Sequence, residues 1–214
     1  MKSSNLSTPI LALGLLGILV GASSAYGDIT IPLGGGWEAQ VPNLSQVSIS
    51  VDSVTSEFVA IEISKDFTEP YDGIGFPGHS ILFTQVAADA VTSPRIIILD
   101  ESVTNLTGSD WTDYHMEIGS GGEVVFDIAA SLGFSMAPFT NQLLTLTTLD
   151  ADGGVVFNNS SFFPGAGPGE LVMFADLSGE EAVSFTLTEF PTPEPATVAL
   201  LVLGLGCLKR RRSR

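Results

Sequence analysis

Of 214 residues, 24 are acidic and 8 basic, a formal net charge of −16 that argues against nucleic-acid binding. Apolar residues make up 44% and charged residues 15%, with 23 Gly and 12 Pro, which fits a turn-rich folded chain and not a disordered acidic tail. Lys2 lies near the start and Lys209, Arg210, Arg211, Arg212 and Arg214 at the end. Only Lys65 and Arg95 therefore stand against the 24 acids between Asp28 and Glu194, a balance of −22.

The first 27 residues have the order of a signal peptide: Lys2, the apolar run Pro9 to Val20 (PILALGLLGILV), then the small residues GASSAYG. Small residues at −3 and −1 allow cleavage after Ala25 or after Gly27, with Gly27 preferred. The apolar run is shorter than the ~20 residues of a spanning helix, which disfavours an uncleaved anchor.

Residues 28–190 read as one exported domain with apolar alternation of period two. In chain order the strands are expected at Val47 to Val54, Glu57 to Ser64, Ile81 to Val86, Arg95 to Leu99, Thr112 to Ile118, Val124 to Ala129, Leu143 to Leu149, Leu171 to Phe174 and Val183 to Glu189. Gly, Pro, Asn or Asp separates most of them. No apolar stripe of period 3.6 competes, so crossover helices and an α/β fold are not expected. The expectation is an all-β antiparallel β-sandwich, jelly-roll or immunoglobulin-like. The region contains no cysteine, so it must hold together without disulfides.

Residues 191–214 form a third unit: Pro193-Glu194-Pro195, an uncharged apolar stretch at 196–208, and the basic tail 209–214. The order is that of a stop-transfer segment, a short transmembrane helix whose basic end stays cytoplasmic while the acidic domain lies across the membrane. Thirteen helical residues reach roughly 20 Å against a hydrocarbon core of about 30 Å. Snorkelling of Lys209 and local thinning would close part of that gap. The two prolines hold Glu194 in an extended segment that a peptidase binds without unfolding a helix.

These three parts resemble the PEP-CTERM sorting signal. The resemblance covers about the last 24 residues. It implies an exosortase partner, transient anchoring in the inner membrane of a Gram-negative-type bacterium, and processing near Pro193-Glu194-Pro195. It also implies residence at the cell surface or in the extracellular matrix, in association with extracellular polysaccharide and biofilm. The segment Asn105 to His115 (NLTGSDWTDYH) is similar to segments of other PEP-CTERM exported domains, a resemblance that fixes no activity.

Enzyme signatures are weak. Gly133-Phe-Ser135-Met-Ala137 loosely follows a nucleophile elbow, but His79 and His115 both precede the serine, the wrong order for an α/β-hydrolase. Two separated histidines without cysteine do not make a zinc or copper site. Gly34-Gly35-Gly36 and PGAGPG (164–169) lack the helix that would let them cradle phosphate, and read as turns. Plentiful carboxylates leave a glycan-active enzyme as a lesser alternative, and the domain is expected to be non-enzymatic.

Two local candidates remain. Alternation through Val103 to Gly119 places Trp111, Asp113, His115 and Glu117 on one face, with Thr112, Tyr114, Met116 and Ile118 opposite. An exposed Trp beside acids would make a carbohydrate-binding face; the preferred reading is a core strand whose Trp covers a sheet edge and whose charges are solvated. Asp150-Ala-Asp152-Gly153-Gly154 begins like a calcium loop, which makes Asp150 and Asp152 candidate Ca2+ ligands. The twelfth position is Ser161 where that motif has Glu, so a hairpin turn is the preferred reading. No organic cofactor is called for.

Overall fold

The computed structural model describes residues 28–42, 46–70, 78–119, 121–179 and 181–193. The signal-peptide segment, Glu194, Pro195, the 196–208 stretch and the basic tail lie outside them. Thirteen strands form two sheets: β1 (Ile29–Gly34), β2 (Trp37–Val41), β3 (Val47–Val54), β4 (Val59–Phe67), β5 (His79–Gln85), β6 (Arg95–Asn105), β7 (Trp111–Gly119), β8 (Val124–Phe126), β9 (Asn141–Leu144), β10 (Thr148–Val156), β11 (Ser160–Phe162), β12 (Leu171–Ala175) and β13 (Ser184–Pro193). Among the described residues the one helical element is a single 3-10 turn at Asp89–Val91, and no helix is long and apolar enough to cross a membrane.

One sheet has the order β1-β2-β5-β13-β7-β10-β9; the other runs β3-β4-β6-β12-β8, with β11 paired to the far half of β6. Their inner faces share one core that includes Trp37, Ile61, Ile63, Phe83, Ile98, Trp111, Tyr114, Phe126 and Phe185. Alternation is what makes this possible: on β4 the residues Val59, Ile61, Ile63 and Phe67 point inward while Glu62 and Ser64 point out. Ring contacts run within and between the layers: Phe83 stacks on its strand neighbour Phe185 at 4.9 Å inside one sheet, and Phe67 of β4 lies edge-on to Trp111 of β7 at 5.2 Å across the two.

The sheets are not wholly antiparallel, as expected from the sequence, because β4 and β6 pair in parallel. After β4 the chain crosses to the other sheet for β5 and then returns, so β6 re-enters running the same way as β4. Three further differences are local. The Gly34-Gly35-Gly36 turn is flanked by β1 and β2, two strands outside the expected set; all three glycines have positive φ. The segment Leu143 to Leu149 is two strands and a turn, because Thr145 Oγ1 accepts the N–H groups of Thr147 and Thr148 and folds β9 back on β10. The chain at Asp150 to Gly154 is therefore not a hairpin turn: it is an irregularity inside β10, with Gly153 at φ +76°.

The last strand also runs beyond the expected domain end at 190. β13 is central, pairing with β5 on one side and β7 on the other, and it continues to Pro193. The first residue of Pro-Glu-Pro is therefore part of the sheet, paired with Trp111 of β7.

Candidate functional site

The expected ligand face does not form as a unit. Tyr114, Met116 and Ile118 point into the core, as alternation requires, and Asp113, His115 and Glu117 point outward. Trp111 breaks phase and is fully buried. Its pairing explains why: Asp113 lies opposite Thr192 and Trp111 opposite Pro193, so Thr112 is an extra residue on β7 and the bulge turns the indole inward. Trp111 Nε1 donates to Thr107 Oγ1 at 3.2 Å, and the ring packs on Phe67 and Tyr114. Of the two readings its strand allowed, Trp111 takes the preferred one, a core role, and the alternative carbohydrate-stacking role is corrected.

The outward residues form a small polar cluster. His115 Nδ1 is 2.7 Å from Asp150 Oδ1 and its Nε2 is 3.7 Å from Asp113 Oδ2, while the ring stacks on Phe190 at 5.1 Å. Asp113 accepts from the Thr192 amide at 3.0 Å and from its hydroxyl. The neighbouring Asp113 carboxylate, at ion-pair distance, outweighs an opposing burial effect and, with the bond to Asp150, holds His115 above its ordinary pKa. The Asp113 carboxyl is correspondingly lowered: burial raises it, and its bonds to His115 and Thr192 outweigh that. Glu117 is exposed on the same strand. Of the two candidate calcium ligands, Asp150 is engaged by His115 and Asp152 accepts from Asn141 Nδ2 at 2.5 Å. Among the described residues no group of three or more His, Cys, Asp or Glu is placed to hold a metal.

The remaining sequence candidates separate. Ser135 lies in a loop, its Oγ accepting the Ala137 amide at 3.4 Å, while His79 Nε2 contacts the Asp66 carbonyl at 3.0 Å and His115 is held by its aspartates. No serine–histidine pair results. Pro193 ends β13, and the rest of the sorting motif and the basic stop-transfer residues lie outside the described residues.

The chemically unusual site lies inside the sandwich. Lys65 of β4 donates from Nζ to Glu101 Oε1 of β6 at 2.9 Å and also to Glu189 Oε1 of β13. Tyr114 of β7 donates from its hydroxyl to Glu189 Oε2 at 2.9 Å. The side chains of Lys65, Glu101 and Glu189 have no solvent exposure. Glu101 Oε2 is buried without a hydrogen-bond partner. Both sheets contribute, two side chains each.

One ammonium and two carboxylates in a dry core would carry a net charge of −1, and the environment retains a proton instead. Burial and the neighbouring Glu189 charge push Glu101 up to about 8, although Lys65 pulls the other way. Burial lowers Lys65, but Glu101 and Glu189 more than offset that, so its pKa is raised. Burial also raises Tyr114 well above its usual range, keeping it a hydroxyl donor.

Alternation alone marks two members of this group. Lys65 follows Val59, Ile61 and Ile63 on the inward phase of β4, and Glu189 follows Phe185 and Leu187 on that of β13. A charged residue on an apolar phase was the available signal. Glu101 carried no such signal, because β6 changes phase: Ile96 and Ile98 point inward, then Glu101, Val103 and Asn105. The register shift between Ile61 and Glu62 opposite β6 marks the bulge responsible. Comparison with protein-family models, curated proteins and solved structures finds no match to this chain.

Proposed function

We propose that the sandwich is the exported, non-enzymatic cargo of an exosortase-type sorting system, resident at the cell surface or in the extracellular polysaccharide matrix of a Gram-negative-type bacterium. The observation that carries this reading is that β13 reaches Pro193, the first residue of Pro-Glu-Pro. A fold whose central strand β13 runs as far as the first residue of Pro-Glu-Pro keeps every described strand when the chain is cut beyond that motif. The segment that follows, apolar then basic, suits temporary anchoring before such a cut.

The domain's chemistry supports a structural role over a catalytic one. Its buried carboxylates, Glu101 and Glu189, lie in the core, out of reach of a polymer substrate, and the outer pair Asp113 and Asp150 is engaged by His115. Lys65 is also buried, so Arg95 is the remaining Lys or Arg of residues 28–193, and the surface is strongly anionic. That surface suits a hydrated matrix and disfavours nucleic acid.

The test is the intact mass of the protein recovered from membrane, envelope and medium fractions of the native host. Loss of the residues after Pro193-Glu194-Pro195 in the envelope or medium is expected. A mass that retains Lys209 to Arg214 in every fraction would overturn the sorting reading in favour of a single-pass surface protein.

A further inference from the structure

We propose that Lys65 and Glu189 condense within the folded domain to an intramolecular isopeptide bond, Nζ to Cδ, with Glu101 relaying protons and Tyr114 holding the carbonyl oxygen. The proposal is independent of the sorting reading. It stands on the juxtaposition of four buried side chains from four strands: an amine in direct contact with one carboxyl, a second carboxyl on the same nitrogen, and a hydroxyl donor on the acceptor's other oxygen.

The arrangement supplies what amide formation from a lysine and a carboxylic acid needs. In water the pair is an inert ammonium carboxylate. Burial penalises both charged forms; at Lys65 the two carboxylates outweigh that penalty, so the neutral amine and acid form only as a transient pair when Glu101 moves protons between them. Glu101 passes its proton to Glu189 Oε1 and takes one from the Lys65 ammonium, which leaves an amine beside a carboxylic acid. The Nζ lone pair adds to Glu189 Cδ, and the displaced π electrons collect on Oε2, where the Tyr114 hydroxyl donates. Glu101 then takes a proton from the nitrogen and gives its own to Oε1. The Cδ–Oε1 bond breaks, one water leaves, and the Oε2 electrons restore the carbonyl. The four mobile protons present at the start end as one on the amide nitrogen, two on water and one on Glu101. No redox partner is required.

Two further observations favour the bond. Glu101 Oε2, buried and unpartnered, is a position for the relayed proton. The tie would join β4 of one sheet to β13 of the other across 124 positions of sequence, in a domain without cysteine. It would pin the strand that leads into Pro193.

The full chain is to be purified, denatured and digested with trypsin, followed by mass spectrometry. Between residues 28 and 193 trypsin has two sites, Lys65 and Arg95. The bond predicts resistance at Lys65 and a branched product joining the piece ending at Arg95 to the piece beginning at Ile96, lighter by one water, about 18 Da. Lys65→Arg, which keeps a cation but has no ε-amine, should give separate pieces at full mass. Glu101→Gln should retain the fold by circular dichroism and lose most of the branched product. Wild-type protein cleaved at Lys65 and at full mass overturns the proposal. A branch mapped to Glu101 overturns the assignment of the acceptor, and full joining in Glu101→Gln overturns the relay.

Discussion

Two clusters in this molecule set one cation between two carboxylates, and they differ mainly in their access to water. His115, with Asp113 and Asp150, lies on the outer face of one sheet, where side-chain exposures of 22%, 25% and 45% leave solvent to screen the charges. Lys65, with Glu101 and Glu189, lies between the sheets with none. Outside, solvent screens the charges and the pairs contribute little. Inside, the same stoichiometry costs several kcal/mol of desolvation per ion, retains a proton on Glu101, and places an amine, two carboxyls and a phenol in contact. Water exclusion turns an ion pair into a chemically poised group.

The strongest way to break this contrast is to remove the buried cation. Lys65→Met should cost about 3–5 kcal/mol in denaturant unfolding, because it strands two carboxylates. Converting Glu101 and Glu189 to Leu in the same chain should recover much of that loss, since the demand for charge compensation disappears. Failure to recover would show that Lys65 contributes by something other than pairing.

Tyr114→Phe should cost about 1–3 kcal/mol, since Glu189 Oε2 then loses its donor in a buried site. A change under about 0.5 kcal/mol would mean that the carboxyl finds another partner.

The pH response separates the two clusters further. Glu101 has a folded pKa of about 8, above its ordinary value of 4.5, so its share of stability is full below about 4.5 and is lost as pH rises through about 8. This applies to chains that have not condensed, and Glu101→Gln should flatten the alkaline loss. His115 is also raised, so its smaller share is full below about 6.5 and is lost as pH rises through its folded value. His115→Asn should change stability by about 0–1 kcal/mol, with the difference fading at high salt. A larger effect that salt leaves untouched would make the outer cluster more than a surface pair. An NMR titration of His115 should move toward the ordinary value in Asp150→Asn.

Much of the fold is legible as alternation. Val47 to Val54 is the expected strand residue for residue, and Val124, Leu171 and Ser184 start strands at or within one residue of the expected places. The failures occur where pairing, not pattern, decides. Thr145 breaks an apolar run that reads as one strand, because its hydroxyl satisfies the turn amides. Trp111 and Glu101 each lie one bulge away from the phase their neighbours announce. Those two shifts transfer the site from the outer face to the core: one takes away the indole, the other supplies a carboxylate.

The amino-acid sequence by itself determined that the domain is built of strands, that it is acidic and free of cysteine, and that Lys65 and Glu189 stand on apolar phases. Periodicity and charge are local properties that each strand carries alone. The tertiary structure decided that β6 runs parallel to β4, that Thr112 bulges, and that Lys65, Glu101 and Glu189, 124 positions apart at the extremes, meet at one nitrogen with Tyr114 on the other oxygen of Glu189. A register is settled only when two strands and two sheets come together, and a single extra residue then reverses which side chains are dry.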